Sequence, residues 1–478
     1  MANITSIGIG SGLDANGIIT ALMSIERKPL TQLEDRNKTL NTELSAIGKL
    51  RSFASSMRDA ASRLSSVALW NTTTATSADD SAVKVSAASG AAASDYGVSV
   101  QRLATRQTVT TGAFASSAAP VGEGTLTIEL GSWAGEPTPT GFTAKAGATP
   151  VTVTIGPEDT TLEKVRDKIN AAGAGVTASI VNDASGARLS LRSRDTGAEN
   201  AFRISASETA DDGNAATGLS ALAFDATAAG AATRNETAVN AQATINGIAV
   251  TSASNTLVNV ADGLTLTLKK VTTADVAVTV GVDDAAVGDA MDKFVGAYND
   301  LVKYIREQTK YDAATKTAGT LQGDRTALGL QSQLRGVINQ ESSASATFTV
   351  MSDIGLTVQG DGTLALNKTK FASALGNRAE LKKVLATDGA TTAASGFMDR
   401  FRDLGTALLD TDGSFESRTK SLEAIIARNE KSQDDLEVRL AATQARLEKQ
   451  YQALDKQMSK LNGTSSYVSA QLAALSGG

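Results

Sequence analysis

The chain has 478 residues, 41% of them hydrophobic, 20% charged and 4% aromatic, and a formal net charge of −6; at roughly 150 residues per domain that is about three domains. It contains no cysteine and no histidine, which excludes a thiolate nucleophile, a Ser-His triad, a disulfide framework and the ordinary zinc, copper or iron ligand sets, so neither a metal nor a cofactor is expected. The acidic balance speaks against the basic face of a nucleic-acid binder, and so few aromatics leave little to line a deep ligand pocket.

In chain order, Met1 to Gly12 are rich in Gly and Ser and lack the basic n-region and unbroken apolar h-region of a signal peptide. No stretch approaches the run of about 20 apolar residues that crosses a bilayer, so no membrane insertion is expected. A helix is predicted from Asp14 as N-cap, with Ile18, Leu22 and Ile25 on its face. Pro29 interrupts it and suits the first turn of a new helix. In that second helix Leu33, Leu40 and Ile47 recur at heptad spacing, Leu44, Leu50, Phe53, Met57 and Leu64 fill the stripe, and the pattern fades around Ser66.

From Asn71 to Val282 the texture changes to alternating strands: Val83 to Val85, Val98 to Val100, Thr125 to Leu130, Val151 to Ile155, Arg188 to Leu191, Leu264 to Leu268 and Val276 to Val280. Asn246-Gly247 predicts a type I′ hairpin. Thr160 with Glu163 predicts a capping box for a helix whose apolar face is Leu162, Val165 and Ile169. The stretch 115–237 reads as an outer α+β insertion inside an inner β domain of 71–114 plus 238–281.

After Asp283 the helical period returns through Val287, Met291, Phe294, Tyr298, Leu301 and Ile305. A further helix starts near Asp324, a hairpin turns at Gly360-Asp361-Gly362, and short helices lead to Asp410. A long helix is predicted from Phe415 to Leu461, capped by Asp412 or Ser414, with Leu422, Ile426, Leu436 and Met458 near a strict heptad seam of Leu440, Leu447, Leu454 and Leu461. Asn462-Gly463 predicts its stop, and Val468, Leu472 and Leu475 a last short helix. At 1.5 Å per residue the two terminal helices span roughly 57 and 70 Å, and their stripes suit antiparallel pairing.

The expected fold class is α+β multidomain: N- and C-terminal coiled-coil helices, a helix-rich inner layer and two β-rich head domains, nested discontinuously. The expected division is a terminal leg of 1–42 plus 436–478 and a helix-rich domain of 43–70 plus 282–435, with the two β domains inside.

Motifs with a chemical reading fall short. Gly8, Gly10 and Gly12 have neither the preceding strand nor the Gly-Lys-Ser/Thr end of a phosphate loop. Asp410-Thr411-Asp412-Gly413 lacks the acidic residues of a calcium loop at Leu408 and Thr419 and reads as a capping turn. Asp211-Asp212 and Asp283-Asp284 read as solvated loop charge, and the terminal helices lack the Lys/Arg face of membrane-surface helices.

Four segments resemble one family in order: Ile4 to Asp14 (ITSIGIGSGLD), Tyr96 to Ala104 (YGVSVQRLA), Ala243 to Gly247 through Gly263 to Leu266, taken as an Ile-Asn motif, and Leu461 to Val468 (LNGTSSYV). They resemble the bacterial flagellar filament cap family, the FliD type or hook-associated protein 2. The resemblance implies a non-enzymatic, plate-like homo-oligomer of four to six subunits at the filament tip. It also implies helical legs on flagellin, help for exported flagellin to fold and insert, and contact with other hook-associated proteins. Export is implied to run through the flagellar type III channel without a cleaved signal, with a cytoplasmic chaperone on the C-terminal helix. The candidate assembly residues are Ile7, Gly8, Leu13, Asp14, Leu33, Leu40, Ile47, Leu440, Leu447, Leu454, Leu461, Tyr467 and Leu472. The competing expectation is an adhesin acting through the outer α+β domain.

Overall fold

The computed structural model describes residues 14–228 and 230–476. Helix α1 (Ala15–Glu26) starts where Asp14 caps it, its carboxylate accepting the Gly17 amide at 2.8 Å. Arg27 separates it from α2 (Lys28–Ser65), and Pro29 sits in the first turn of α2, where a missing N–H leaves no bond unmade. A single turn, α3 (Val67–Trp70), ends with the Trp70 indole N–H donating to the Leu64 carbonyl at 2.7 Å. The chain divides into two compact units: Asn71–Asp283 is one, and the residues before and after it make the other.

Asn71–Asp283 holds two apolar cores. In the inner one a five-stranded antiparallel sheet runs Thr73–Ser77, Val276–Val282, Ser94–Arg102, Ala241–Ile245, Ile248–Ser252. Period-two alternation turns Val98, Val100, Ala243, Val278 and Val280 inward. They pack with Val83, Leu264, Leu266 and Leu268 from a three-stranded sheet of Thr256–Ala261, Leu264–Leu268 and Val83–Ala87. The hairpin forms as expected, with Asn246 at φ 49° and Gly247 at φ 78°, the positive angles a type I′ turn requires.

The outer core lies between a sheet built on Gly124–Ala134 and a four-stranded sheet in the order Thr233–Glu236, Thr108–Thr110, Gly186–Ser193, Val176–Asp183. Helix α4 (Leu162–Ala171) buries Leu162, Val165 and Ile169 against it. Its capping box does not form. Pro157–Asp159 is a tight 3₁₀ turn that leaves Thr160 at φ −74°, ψ −6°, whereas an N-cap needs extended backbone; Thr161 takes that place without a side-chain cap bond. Val109 is fully buried in the outer core, so that core draws in the strand at Thr108–Thr110, ahead of residue 115.

In the helical unit α5 (Asp284–Thr309) buries the face read from its periodicity, Val287 through Ile305. Helix α6 (Arg325–Asn339) is capped by Asp324, which accepts the Thr326 and Ala327 amides. The strands Leu356–Val358 and Leu364–Leu366 flank the expected hairpin turn. Three shorter helices follow, α7 (Lys368–Leu375), α8 (Arg378–Ala386) and α9 (Phe397–Leu409). Phe294 and Tyr298 meet Phe401 with ring centroids 5.0 and 5.9 Å apart, and α2 contributes Ile47, Leu50, Met57 and Leu64 to the same core.

The last helix, α10 (Ser414–Ser476), is 63 residues long and does not stop at Asn462-Gly463. One interior glycine costs a helix only about 1 kcal/mol against alanine, which the helix formers around it offset, so Val468 and Leu472 continue the same helix. Ser414 lies inside α10 rather than capping it.

The inner and outer cores close without the terminal helices. A chain spanning Asn71–Asp283 is therefore expected to give a strand-rich circular dichroism spectrum and one cooperative melt; a random-coil spectrum would contradict the division. A second expectation concerns Glu380, in the first turn of α8. It accepts from Lys383 Nζ, Ser345 Oγ and the Ala346 amide at 2.7, 2.7 and 2.9 Å, which holds its carboxyl down at about 2 from an ordinary 4.5. A depressed acid contributes stability that is present above its unfolded value and lost as pH falls through the folded one. Hydrogen exchange at the Ala346 amide is thus expected to accelerate between pH 4.5 and 2 beyond its intrinsic change, and Glu380→Gln should remove that acid limb.

Candidate assembly seam

The two ends of the chain pair antiparallel, and the partners fall in order. Arg51 Nη1 lies 3.1 Å from Glu416, Arg418 reaches Glu43 at 3.1 Å, Asn429 Nδ2 donates to Asn37 Oδ1 at 2.9 Å, and Leu30 packs with Leu440. Beyond Leu30 the turn at Arg27 hands the seam to α1, whose Ile19 and Met23 form one cluster with Leu440, Leu447 and Tyr451. As residue numbers fall along α2 and α1 they rise along α10.

The seam has three kinds of layer. At its core end Leu40 and Ile47 of α2 and Leu422 and Ile426 of α10 belong to the main core of the helical unit. Beside them Arg418 spans Glu43 and Asp324, the latter at 2.8 Å. Burial pushes the Glu43 carboxyl up, and the Arg418 guanidinium pulls it part of the way back. Next comes the amide layer. Asn37 and Asn429 are each 9% exposed, and Asn41 Nδ2 adds a bond to the Asn37 carbonyl at 2.9 Å. Beyond it lies the small cluster around Leu30 and Leu440. A slipped register would bury both amides unpaired, at about 1–3 kcal/mol per group, so this layer fixes which residues meet.

The candidate residues fall into groups. Asp14 caps α1; Leu40, Ile47 and Leu440 are buried, and Leu33 and Leu447 half-buried. Leu454, Leu461, Tyr467 and Leu472 are 40, 63, 66 and 61% exposed, so the heptad stripe runs on past its last partner among the described residues. Ile7, Gly8 and Leu13, with the side chain of Leu475, lie outside the described residues. The face expected for α1 is corrected: Ile18, Leu22 and Ile25 are exposed, and Ala15, Ile19 and Met23 are buried. This helix carries two apolar stripes, and the one that the Arg27 turn aims at α10 is covered.

Asn37 and Asn429 were not among the candidates, although a signal exists. Leu30, Asn37 and Leu44 repeat at sevens, as do Leu422, Asn429 and Leu436, so each asparagine stands at an apolar heptad position. Among the described residues no helix is long and apolar enough to cross a membrane. The carboxylates there that gather closely enough to share a cation are Glu208, Asp211 and Asp212, with oxygens within 4.8 Å of one another.

Comparison with known proteins gives a consistent result. The model of the flagellar hook-associated protein 2 N-terminus matches residues 11–107, that of its C-terminus residues 238–463, and that of the flagellin hook IN motif residues 142–195. That last match falls in the outer part of Asn71–Asp283 and takes in Ile169-Asn170, whereas the Ile-Asn segment at Ala243 to Leu266 falls within the C-terminal match. The B-type flagellar hook-associated protein 2 of Pseudomonas aeruginosa is 32% identical over 99% of this chain and 98% of its own length. The flagellar hook-associated protein 2 of Escherichia coli K12 is 32% identical over 98% of each. The crystal structure of the D1-D2-D3 domains of the flagellar cap protein FliD from Escherichia coli is similar with a TM-score of 0.59 at 30% identity, covering 79% of this chain and 99% of that one.

If the amide layer sets the register, replacing both asparagines by leucine should stabilise the helical unit while loosening alignment. The double variant is expected to melt several degrees higher, and spin labels at Glu34 and Lys431 should change from one narrow distance distribution to a broad or double one. A narrow, unshifted distribution would remove the amides from any role in register.

Proposed function

The chain belongs to the flagellar hook-associated protein 2 family, and we propose that it caps the distal end of the bacterial flagellar filament and helps exported flagellin fold and insert. One observation carries the mechanical part: a heptad stripe covered from Leu422 to Leu447 and then, among the described residues, left open at Leu454, Leu461 and Leu472. A single helix with an apolar stripe gains most of its stability from a partner, so the open stretch is a place for another chain to complete the seam. At the filament tip that chain is flagellin.

On this reading residues 1–42 with 436–478 are the leg that meets flagellin, 43–70 with 284–435 the helix-rich support, and 71–105 with 239–283 and 106–238 the two head domains, the outer one taking in the strand at Thr108–Thr110. Leu33, Leu440 and Leu447 hold the leg together, and Leu40 and Ile47 anchor α2 in the helical core. Leu454, Leu461, Tyr467 and Leu472 make its working face, and Ile7, Gly8 and Leu13 are further assembly candidates outside the described residues. Four to six copies form the plate, next to other hook-associated proteins. The protein works outside the cell at the flagellum tip. A stripe that is sticky until assembled needs cover in the cytoplasm, which fits a chaperone on the C-terminal helix and export as an unfolded chain through the flagellar type III channel. The role is structural rather than catalytic, in keeping with a sequence that has no histidine or cysteine. The likenesses to known proteins lend no support to an adhesin role for the outer domain.

The test is Leu461→Asp. Leu461 is 63% exposed, so the variant should melt within a degree or two of the wild type. In cells it is expected to leave flagellin leaking into the medium as monomer and to abolish most swimming. Normal filament growth by a folded, exported Leu461→Asp protein would sink the proposal that this stripe is the working surface.

A further inference from the structure

The outer four-stranded sheet carries a polar cleft of about 570 Å³ lined by Arg106, Thr108, Ser179, Ser190, Arg192 and Arg194. The register explains the gathering: Thr108 stands opposite Arg192 and Ser179 opposite Ser190, which puts these side chains side by side on the outward face. Three guanidiniums share the cleft, and the carboxylate beside them is Glu236, 3.6 Å from Arg192. The side chains of Arg106 and Arg194 form no hydrogen bond or ion pair among the described residues, and Arg106 Nε is buried with no acceptor. A buried donor without an acceptor is costly, and arginine presents donors in a fork that fits a carboxylate in two-point fashion.

Elsewhere in the same unit the opposite arrangement occurs. The strand Ala201–Glu208 of the other outer sheet ends in a loop where Glu208, Asp211 and Asp212 bring their carboxylates within 4.8 Å of one another. Their local partners are neutral: the Ser220 and Gly213 amides and the Thr217 hydroxyl, at 2.5, 2.8 and 2.7 Å. No ion pair with a lysine or arginine forms at any of the three among the described residues. One patch thus has surplus cationic donors and the other surplus anionic acceptors, and within one chain they do not meet.

We propose that the arginine cleft receives the carboxylates of the Glu208–Asp212 loop of a second copy of this chain. Because the two patches differ, each copy would offer both a loop and a cleft. Such a head-to-tail contact repeats from copy to copy and closes into a ring when the rotation allows. The pairing rests on the capping reading, which requires several subunits at one filament end.

Two charge reversals at exposed positions of the full-length chain test it, Arg194→Glu and Asp211→Lys, with circular dichroism confirming that both fold. Sedimentation at low ionic strength is expected to show wild-type self-association, weakened about tenfold or more in each variant. An equimolar mixture of the two should associate again, since the unaltered cleft of one meets the unaltered loop of the other and the two reversed patches complement each other. A wild-type chain monomeric at every concentration, reversals without effect, or a mixture that stays apart would each overturn the pairing. A chain that retains flagellin in cells while ignoring both reversals sinks this pairing alone. One that associates as described, but whose loss leaves flagellin retained, sinks the capping reading alone.

Discussion

Everything in the helical unit depends on the antiparallel meeting of the chain's two ends. Glu43 and Arg418, or Asn37 and Asn429, are 375 and 392 positions apart in sequence, yet lie within hydrogen-bond distance. Apolar layers supply most of the attraction, but they are permissive: a leucine stripe packs almost as well one turn out of place. The half-buried ion group at Arg418 and the amide layer at Asn37 and Asn429 are what make one alignment better than its neighbours. Desolvation makes such groups costly, so their contribution lies in selecting the alignment more than in strengthening it.

The same closure recurs at each level. The inner β domain enters and leaves along paired strands, Thr73–Ser77 against Val276–Val282, and the Asp283 amide donates to the Thr72 carbonyl at 3.0 Å. The outer domain enters and leaves where the Thr105 amide donates to the Val239 carbonyl at 3.0 Å. Each inserted piece therefore begins and ends at one place, and the piece around it keeps its own core.

Where local chemistry decides an element, the sequence is a reliable guide. The Asp14 and Asp324 caps, the Asn246-Gly247 turn and the buried face of α5 all follow from residues a few positions apart. The failures have a common cause in longer-range competition. Asn462-Gly463 carries a local stop signal that a long run of helix formers overrides. Thr160 and Glu163 have capping-box spacing, but the Pro157 turn takes the backbone angles the box needs. On α1 two apolar stripes are present and only the position of α10 decides which is covered. At the seam the leucines were legible and the asparagines between them were not, because a polar residue in a heptad looks like surface until its partner on the other helix is known. The opposed charges of the outer domain were invisible for the same reason: Arg106 and Arg192 become neighbours only through strand pairing.

The nested order also bears on how the chain's distant segments find one another. The face of α2 that ends in the helical core is covered by α5, α9 and α10, which follow the whole β body in sequence. Closing so long a loop in an unfolded chain is entropically expensive and slow. The β body shortens it: once Thr73–Ser77 has paired with Val276–Val282, Trp70 and Asp284 are held at the two sides of one strand pair. The search that remains is that of a short linker. The Asn71–Asp283 unit thus works as a clasp: its closure brings together the two chain segments from which the helical unit is assembled.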